Sequence, residues 1–202
     1  MMVKICGVTN REDALAAAEY GASAIGFNFY RNSPRYISPT GAATISDKLP
    51  ANVLKVGVFV DDLAEVVAKV ALQVGLDVAQ LHGLAACSSL PVWRAISVRD
   101  EVNISESFDE TGEAFLFDTA AEPGAYGGTG RTFRWELARK AKDFTTKKII
   151  VAGGLDEANV QSAIDEVQPW GVDVCSRIEI EPGRKDRIKM KKFIEAALAA
   201  KL

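Results

Sequence analysis

Short, continuously apolar runs rich in β-branched residues alternate with longer stretches of helical spacing from one end of the chain to the other. The apolar runs are residues 3–6, 24–28, 54–59, 78–81, 92–96, 115–118, 149–151 and 171–174. A strand with one wet face alternates polar and apolar residues, whereas these runs are apolar throughout, as in a parallel sheet covered on both faces. Between them, Thr9 and Glu12 predict a capping box that opens a helix running to about Tyr20 and stopping at Gly21. Asp61 or Asp62 opens a helix over 63–74, in which Leu63, Val66, Val67, Val70 and Val74 keep helical spacing and Gly75 closes it. Residues 156–167 and 186–202 read the same way, 40–49 and 135–141 more weakly, and 84–90 and 101–109 make poor helices. No internal repeat, low-complexity tract or linker divides the chain.

Eight strands, each followed by a crossover, predict an α/β protein: one compact (β/α)8 TIM barrel spanning 1–202, with its active site at the C-terminal ends of the strands. The competing arrangement, a doubly wound open sheet, usually places a glycine fingerprint after its first strand. Here that turn reads Cys6-Gly7-Val8-Thr9 and carries no GxGxxG.

Composition narrows the functional classes. At 202 residues the chain is long enough for one domain to bury a sizeable core. Lys plus Arg number 24 and Asp plus Glu 27, a formal charge of −3 with no basic stripe for nucleic acid and no polybasic membrane patch. Cys6, Cys87 and Cys175 are odd in number and widely spaced, which suits a reducing cytoplasm better than a disulfide framework or a zinc ribbon. The opening MMVKICGVTN does not read as a signal peptide, and no 18-residue apolar run occurs. The expectation is a cytoplasmic enzyme or binding protein.

Polar or reactive groups close five of the eight apolar runs, and in barrels chemistry sits at those ends. Cys6, just ahead of a helix start, is either a small buried hydrophobe or a thiol whose pKa a helix terminus or a cation lowers, fit to take a proton from carbon or to act as a nucleophile. Its place opposite Asp118 favours the second reading. Asp118 ends a run of Phe115, Leu116 and Phe117, where shielding raises a carboxyl's pKa and suits it to donate a proton near neutral pH; the bland alternative is a loop cap. Three segments suit a phosphate, although a Gly-Gly pair taken alone also reads as a plain turn: the loop 126–131 with Gly128 and Thr129, the turn at Gly153 and Gly154, and Cys175-Ser176-Arg177. Arg35, in the loop after the second strand, is either solvated surface or a planar fork for a carboxylate or phosphate. His82, the only histidine, either orients a substrate or satisfies backbone. Cys87 is assigned no role, and Cys175 reads as packing first and substrate contact second.

The blocks KICGVTNREDA, GFNFYRNSPRYISP, VGVFVD, QLHG, FDT, YGGTGRTFRW, VAGGL with AN, and GVDVCSRIE with PGRKD stand in this order along the chain. In that combination, over nearly the whole length, the sequence resembles the phosphoribosylanthranilate isomerases of tryptophan biosynthesis. The resemblance implies a (β/α)8 barrel, monomeric or homodimeric, that needs no metal or organic cofactor. It implies an Amadori rearrangement of N-(5-phosphoribosyl)anthranilate, a small phosphorylated substrate, to 1-(2-carboxyphenylamino)-1-deoxyribulose 5-phosphate. Carried over by position, Cys6 resembles the general base, Asp118 the general acid and Arg35 the residue that meets the anthranilate carboxylate. Gly153, Gly154 and Ser176 resemble the phosphate grip, Gly128 and Thr129 its helpers, and His82 a histidine near the substrate.

Two departures stand out. Where the family pattern is Ser-Ser-Gly, this chain has Cys175-Ser176-Arg177, so Arg177 either weakens a backbone contact to the phosphate or adds a guanidinium to it. The crossover 84–90 also lacks an acidic opening. The rivals are sister sugar-phosphate barrels and a non-catalytic phospholigand-binding barrel. The ketol isomerase of histidine biosynthesis should carry Asp in place of Cys6, and indole-glycerol-phosphate synthase a strand-end lysine.

Overall fold

The computed structural model describes residues 1–83, 87, 89–98, 112–119 and 135–200. Eight parallel strands form a closed barrel: β1 (Met2–Ile5), β2 (Ala24–Asn28), β3 (Leu54–Val60), β4 (Val78–His82), β5 (Val92–Val98), β6 (Ala114–Thr119), β7 (Lys148–Val151) and β8 (Gly171–Val174). Each apolar run of the sequence thus becomes a strand, with ends displaced by two residues at most. Closure is made by β8 pairing with β1, Met2 opposite Gly171 through Ile5 opposite Val174, which excludes the open doubly wound sheet.

Alternation along the strands sorts side chains into two cores. Val3, Ile5, Ile25, Phe27, Phe59, Phe115 and Phe117 point outward to pack against the helices. Met2, Ala24, Val56, Val78, Trp93, Ala114, Leu116, Ile150 and Ala152 fill the barrel itself. Each fully buried Phe contributes roughly 1.5–3 kcal/mol by leaving water, and Phe27, Phe59, Phe115, Phe117 and Phe193 all do so.

The helices described are α1 (Arg11–Glu19), α2 (Pro39–Ser46), α3 (Ala64–Val74), α4 (Trp135–Ala141), α5 (Val160–Val167) and α6 (Arg187–Ala199). Several of their starts correct the sequence expectation. The cap of α1 is Asn10 rather than Thr9: Asn10 Oδ1 accepts from Asp13 N at 2.8 Å and Nδ2 donates to Asp13 Oδ2 at 2.7 Å. Thr9 is drawn away because its hydroxyl donates to Gly183 O at 2.6 Å. Neither Asp61 nor Asp62 caps α3, whose N-cap is Leu63 with no side-chain bond; Asp62 turns back to accept from Val60 N at 3.3 Å. Asp156 accepts from Ala158 N and Asn159 N at 3.0 and 3.2 Å, a local turn that delays α5 to Val160. Gly75 closes α3 in the left-handed conformation, and Asp186 caps α6, as expected.

One element had no counterpart in the sequence reading. After β8, a 3-10 turn (Ser176–Ile178) leads into a hairpin of β9 (Glu179–Glu181) and β10 (Arg184–Lys185). It docks on the start of α1, where Lys185 N donates to the buried Asp13 Oδ2 at 2.8 Å. The crossovers expected at 84–90 and 101–109 fall partly or wholly outside the described residues. No described helix is long and apolar enough to cross a membrane.

Candidate active site

Strand alternation carries the inward side chains of β1 and β8 from an apolar base to a charged mouth. Lys4 stands opposite Asp173 in the β1–β8 register, and Lys4 Nζ meets Asp173 Oδ1 at 2.9 Å with the lysine wholly buried. Burial works against the ammonium, but Asp173 and then Cys6 outweigh it, so Lys4 holds its proton more tightly than a free lysine. Two residues further along the same face come Cys6 and Cys175, and Cys6 N donates to Val174 O at 2.9 Å, continuing the strand pairing to that level. The neighbouring strand must be bare here: a Cβ on Gly26 would stand 2.9 Å from Cys6 Sγ and 3.1 Å from Lys4 Nζ.

The neighbouring Cys175 side chain, and then burial, hold the Cys6 thiol well above its usual pKa, opposed by Lys4. Cys6 in turn lowers Cys175 to about 7 against the effect of burial, with Lys185 and Arg35 assisting. Lys185, from the hairpin, is fully buried; its Nζ donates to Cys175 O at 3.2 Å and to Glu179 Oε1 at 2.8 Å. Arg35 reaches the same carboxylate, with Nε 3.0 Å from both Glu179 oxygens and Nη2 2.8 Å from Oε2. It is therefore a fixed fork rather than solvated surface, and its Nη1 is left out of the grip.

Asp118, at the end of β6, is raised to about 7 by the low-dielectric surroundings and then by Asp173, against a hydrogen bond from the Thr119 backbone. It opens on a small cleft whose other walls are the turn at Gly153 and Gly154 and the segment from Cys175 through Ser176 to Arg177. Both glycines are left-handed, with φ of +75° and +66°. A Cβ on Gly153 would stand 2.6 Å from Thr119 N and 2.9 Å from Asp118 Oδ1. Asn159 fixes the turn by donating to Gly154 O at 3.0 Å. His82 ends β4 with its Nε2 3.1 Å from the Gln80 amide nitrogen. Burial, then Lys4, lowers it to about 4, so its imidazole is neutral at neutral pH. Gly128 and Thr129 lie outside the described residues.

Comparison with known proteins adds a name to this arrangement. Residues 3–196 match the family model of N-(5′-phosphoribosyl)anthranilate (PRA) isomerase. The chain belongs to this family. It is 45% identical to the N-(5′-phosphoribosyl)anthranilate isomerase of Solibacter usitatus, covering 99% of this chain and 98% of that protein. The crystal structure of phosphoribosyl anthranilate isomerase from Thermotoga maritima superposes with a TM-score of 0.87 at 41% identity, covering 98% of both chains. A second crystal structure, a phosphoribosyl anthranilate isomerase in complex with reduced 1-(o-carboxyphenylamino)-1-deoxyribulose 5-phosphate, superposes with a TM-score of 0.83 at 39% identity, again covering 98% of both. The protein is accordingly an isomerase of tryptophan biosynthesis built on a TIM barrel.

The structure groups Cys6 with Arg35 on the β1–β2 side, and Asp118 with Gly153, Gly154, Ser176 and Arg177 on the β6–β8 side. Sequence reasoning missed Lys4, Asp173, Glu179 and Lys185, and it ranked Cys175 as packing. The signal for Lys4 was its spacing: it lies two residues before Cys6, hence on the same face and one layer below the rim.

Proposed function

We propose that the protein converts N-(5-phosphoribosyl)anthranilate to 1-(2-carboxyphenylamino)-1-deoxyribulose 5-phosphate, with Asp118 as general acid and Cys6 as general base. The observation that carries this reading is Asp118, a strand-end carboxyl raised to about 7 and opening on the cleft beside Gly153. Such a group still holds a proton at neutral pH for the furanose ring oxygen. Protonation there opens the ring to a Schiff base. Removal of the proton from the adjacent sugar carbon then gives an enolamine, which tautomerises to the ketone. β1 and β6 are three strands apart around the closed barrel, so acid and base approach the mouth from different sides.

The two anionic ends of the substrate supply the positioning. Amides of Gly153, Gly154 and Ser176 suit the phosphate, and Arg177, exposed on the same cleft wall, suits a direct guanidinium contact. The resemblance adds Gly128 and Thr129 to that grip. Arg35, held by Glu179 through Nε and Nη2, suits the anthranilate carboxylate, and neutral His82 suits a hydrogen bond to the sugar. The test follows the fluorescence decay of enzymatically generated phosphoribosylanthranilate on adding the protein. Fast decay that falls at least ~10²-fold in a folded Cys6→Ala variant is expected. Near-normal decay in that variant ends the assignment of Cys6, and no decay above the spontaneous rate with wild-type protein ends the activity.

A further inference from the structure

Cys6 and Cys175 leave the two strands that close the barrel at the same level and on the same face. Their predecessors on that face, Lys4 and Asp173, are in register and touch at 2.9 Å, and the Cys6 amide extends the pairing by one more bond to Val174. The crowding between the strands confirms the juxtaposition. A Cβ on Gly7 would lie 2.9 Å from Cys175 Sγ, and one on Gly26 would lie 2.9 Å from Cys6 Sγ. Both thiols are free. Cations flank the two sulfurs: Lys4 beside Cys6, Lys185 Nζ 3.9 Å from Cys175 Sγ, and the Arg35 guanidinium. The carboxylates facing them are paired, Asp173 with Lys4 and Glu179 with Arg35 and Lys185, and burial raises both Asp173 and Asp118 to about 7, so neither adds a full negative charge at neutral pH. A site with this charge balance favours one negative charge on the pair of sulfurs.

We propose that Cys175 is a positioning residue for the general base, forming with Cys6 a thiol–thiolate unit in which Cys175 takes the Cys6 proton before Cys6 takes one from the substrate. This rests on the reading of Cys6 as base. In the resting unit Cys6 carries the proton and donates it to the Cys175 thiolate. The proton crosses to Cys175, leaving the thiolate on Cys6. That thiolate then removes the proton from the sugar carbon, and the electrons of the C–H bond pass into the enolamine. The unit now holds two protons where it held one, Asp118 has lost one to the ring oxygen, and transfer through water restores both. The lowered pKa of Cys175, near 7, and the raised one of Cys6 accord with this division of the charge. A hydroxyl in place of the Cys175 thiol could still donate a hydrogen bond but could not accept the proton, which separates this role from packing.

Two readouts test the proposal in a Cys87→Ser background. Thiolate absorbance near 240 nm is titrated in the parent and in Cys175→Ser, and the turnover of the two is compared from pH 6.5 to 9. The expected result is a thiolate half-formed near pH 7 in the parent and at least one pH unit higher in Cys175→Ser. Turnover of the variant should be at least ~10-fold below the parent at pH 6.5 and within about threefold at pH 9. An unchanged titration, or a deficit that does not vary with pH, overturns the proposal while loss of turnover in Cys6→Ala leaves the base in place. A shifted titration with turnover equal to the parent's at every pH overturns instead the reading of Cys6 as base on which the proposal stands.

Discussion

The two ends of the barrel interior are built from the same strands and the same inward-facing positions, yet they are chemically opposite. At the N-terminal end Met2, Val78, Ala114 and Gly171 face one another, with Trp93 and Trp170 in edge contact at 5.8 Å between centroids. At the mouth the same strands offer Lys4 and Cys6, Gln80 and His82, Asp118, and Asp173 and Cys175. The apolar end stabilises the fold by excluding water, and its contacts are tolerant of approximate replacement. The mouth buries charge, which costs free energy unless each group is partnered. Lys4 has Asp173, and Glu179 has both Arg35 and Lys185. What differs between the two ends is how much stability is surrendered for chemistry, and every substitution that exchanges one kind of residue for the other should show it.

The largest expected effect breaks the charged end. Asp173→Ala leaves Lys4 buried without its counter-ion and should destabilise the fold by about 3–5 kcal/mol in denaturant titration, with turnover falling as well. Leu116→Ala, on β6 in the apolar end, should cost a comparable ~2–5 kcal/mol through a cavity, yet leave turnover of the folded fraction within about threefold. Equal loss of turnover in the two variants would erase the distinction between the ends. A smaller effect sharpens it: Gly153→Ala introduces a Cβ against Thr119 N and Asp118 Oδ1 at a left-handed φ of +75°. It should cost about 1–3 kcal/mol, and kcat/KM should fall at least ~10-fold because the turn and the acid are displaced together.

Much of this contrast was legible in the sequence, and its limits have physical reasons. Strands buried on both faces leave apolar runs, so all eight could be placed, and a polar residue closing such a run, as Asp118 and His82 do, is visible without any structure. Lys4 was hidden by the same logic, since a lysine within an apolar run reads as an interruption until alternation puts it on the face of Cys6. Glu179 and Lys185 come from a hairpin too short to show periodicity. Their partnerships span 144 residues to Arg35 and, through the Lys185 amide, 172 to Asp13, distances at which local pattern carries no information. The capping box was displaced by one residue for a related reason, because Thr9 is claimed by Gly183, a residue far along the chain.

Asp118→Asn, measured for activity and stability on the same preparation, tests the trade between chemistry and stability most directly. The folded carboxyl titrates at about 7, above the ordinary aspartate value of 3.8. Its contribution to stability is therefore fully present below the ordinary value and is lost as pH rises through 7. Asparagine has no charge to bury, so the variant should melt at least ~3 °C above wild type at pH 8 and level with it at pH 4. Its turnover at pH 7 should fall at least ~10²-fold. A variant that gains no stability at pH 8, or that turns over at near the wild-type rate, would contradict the account.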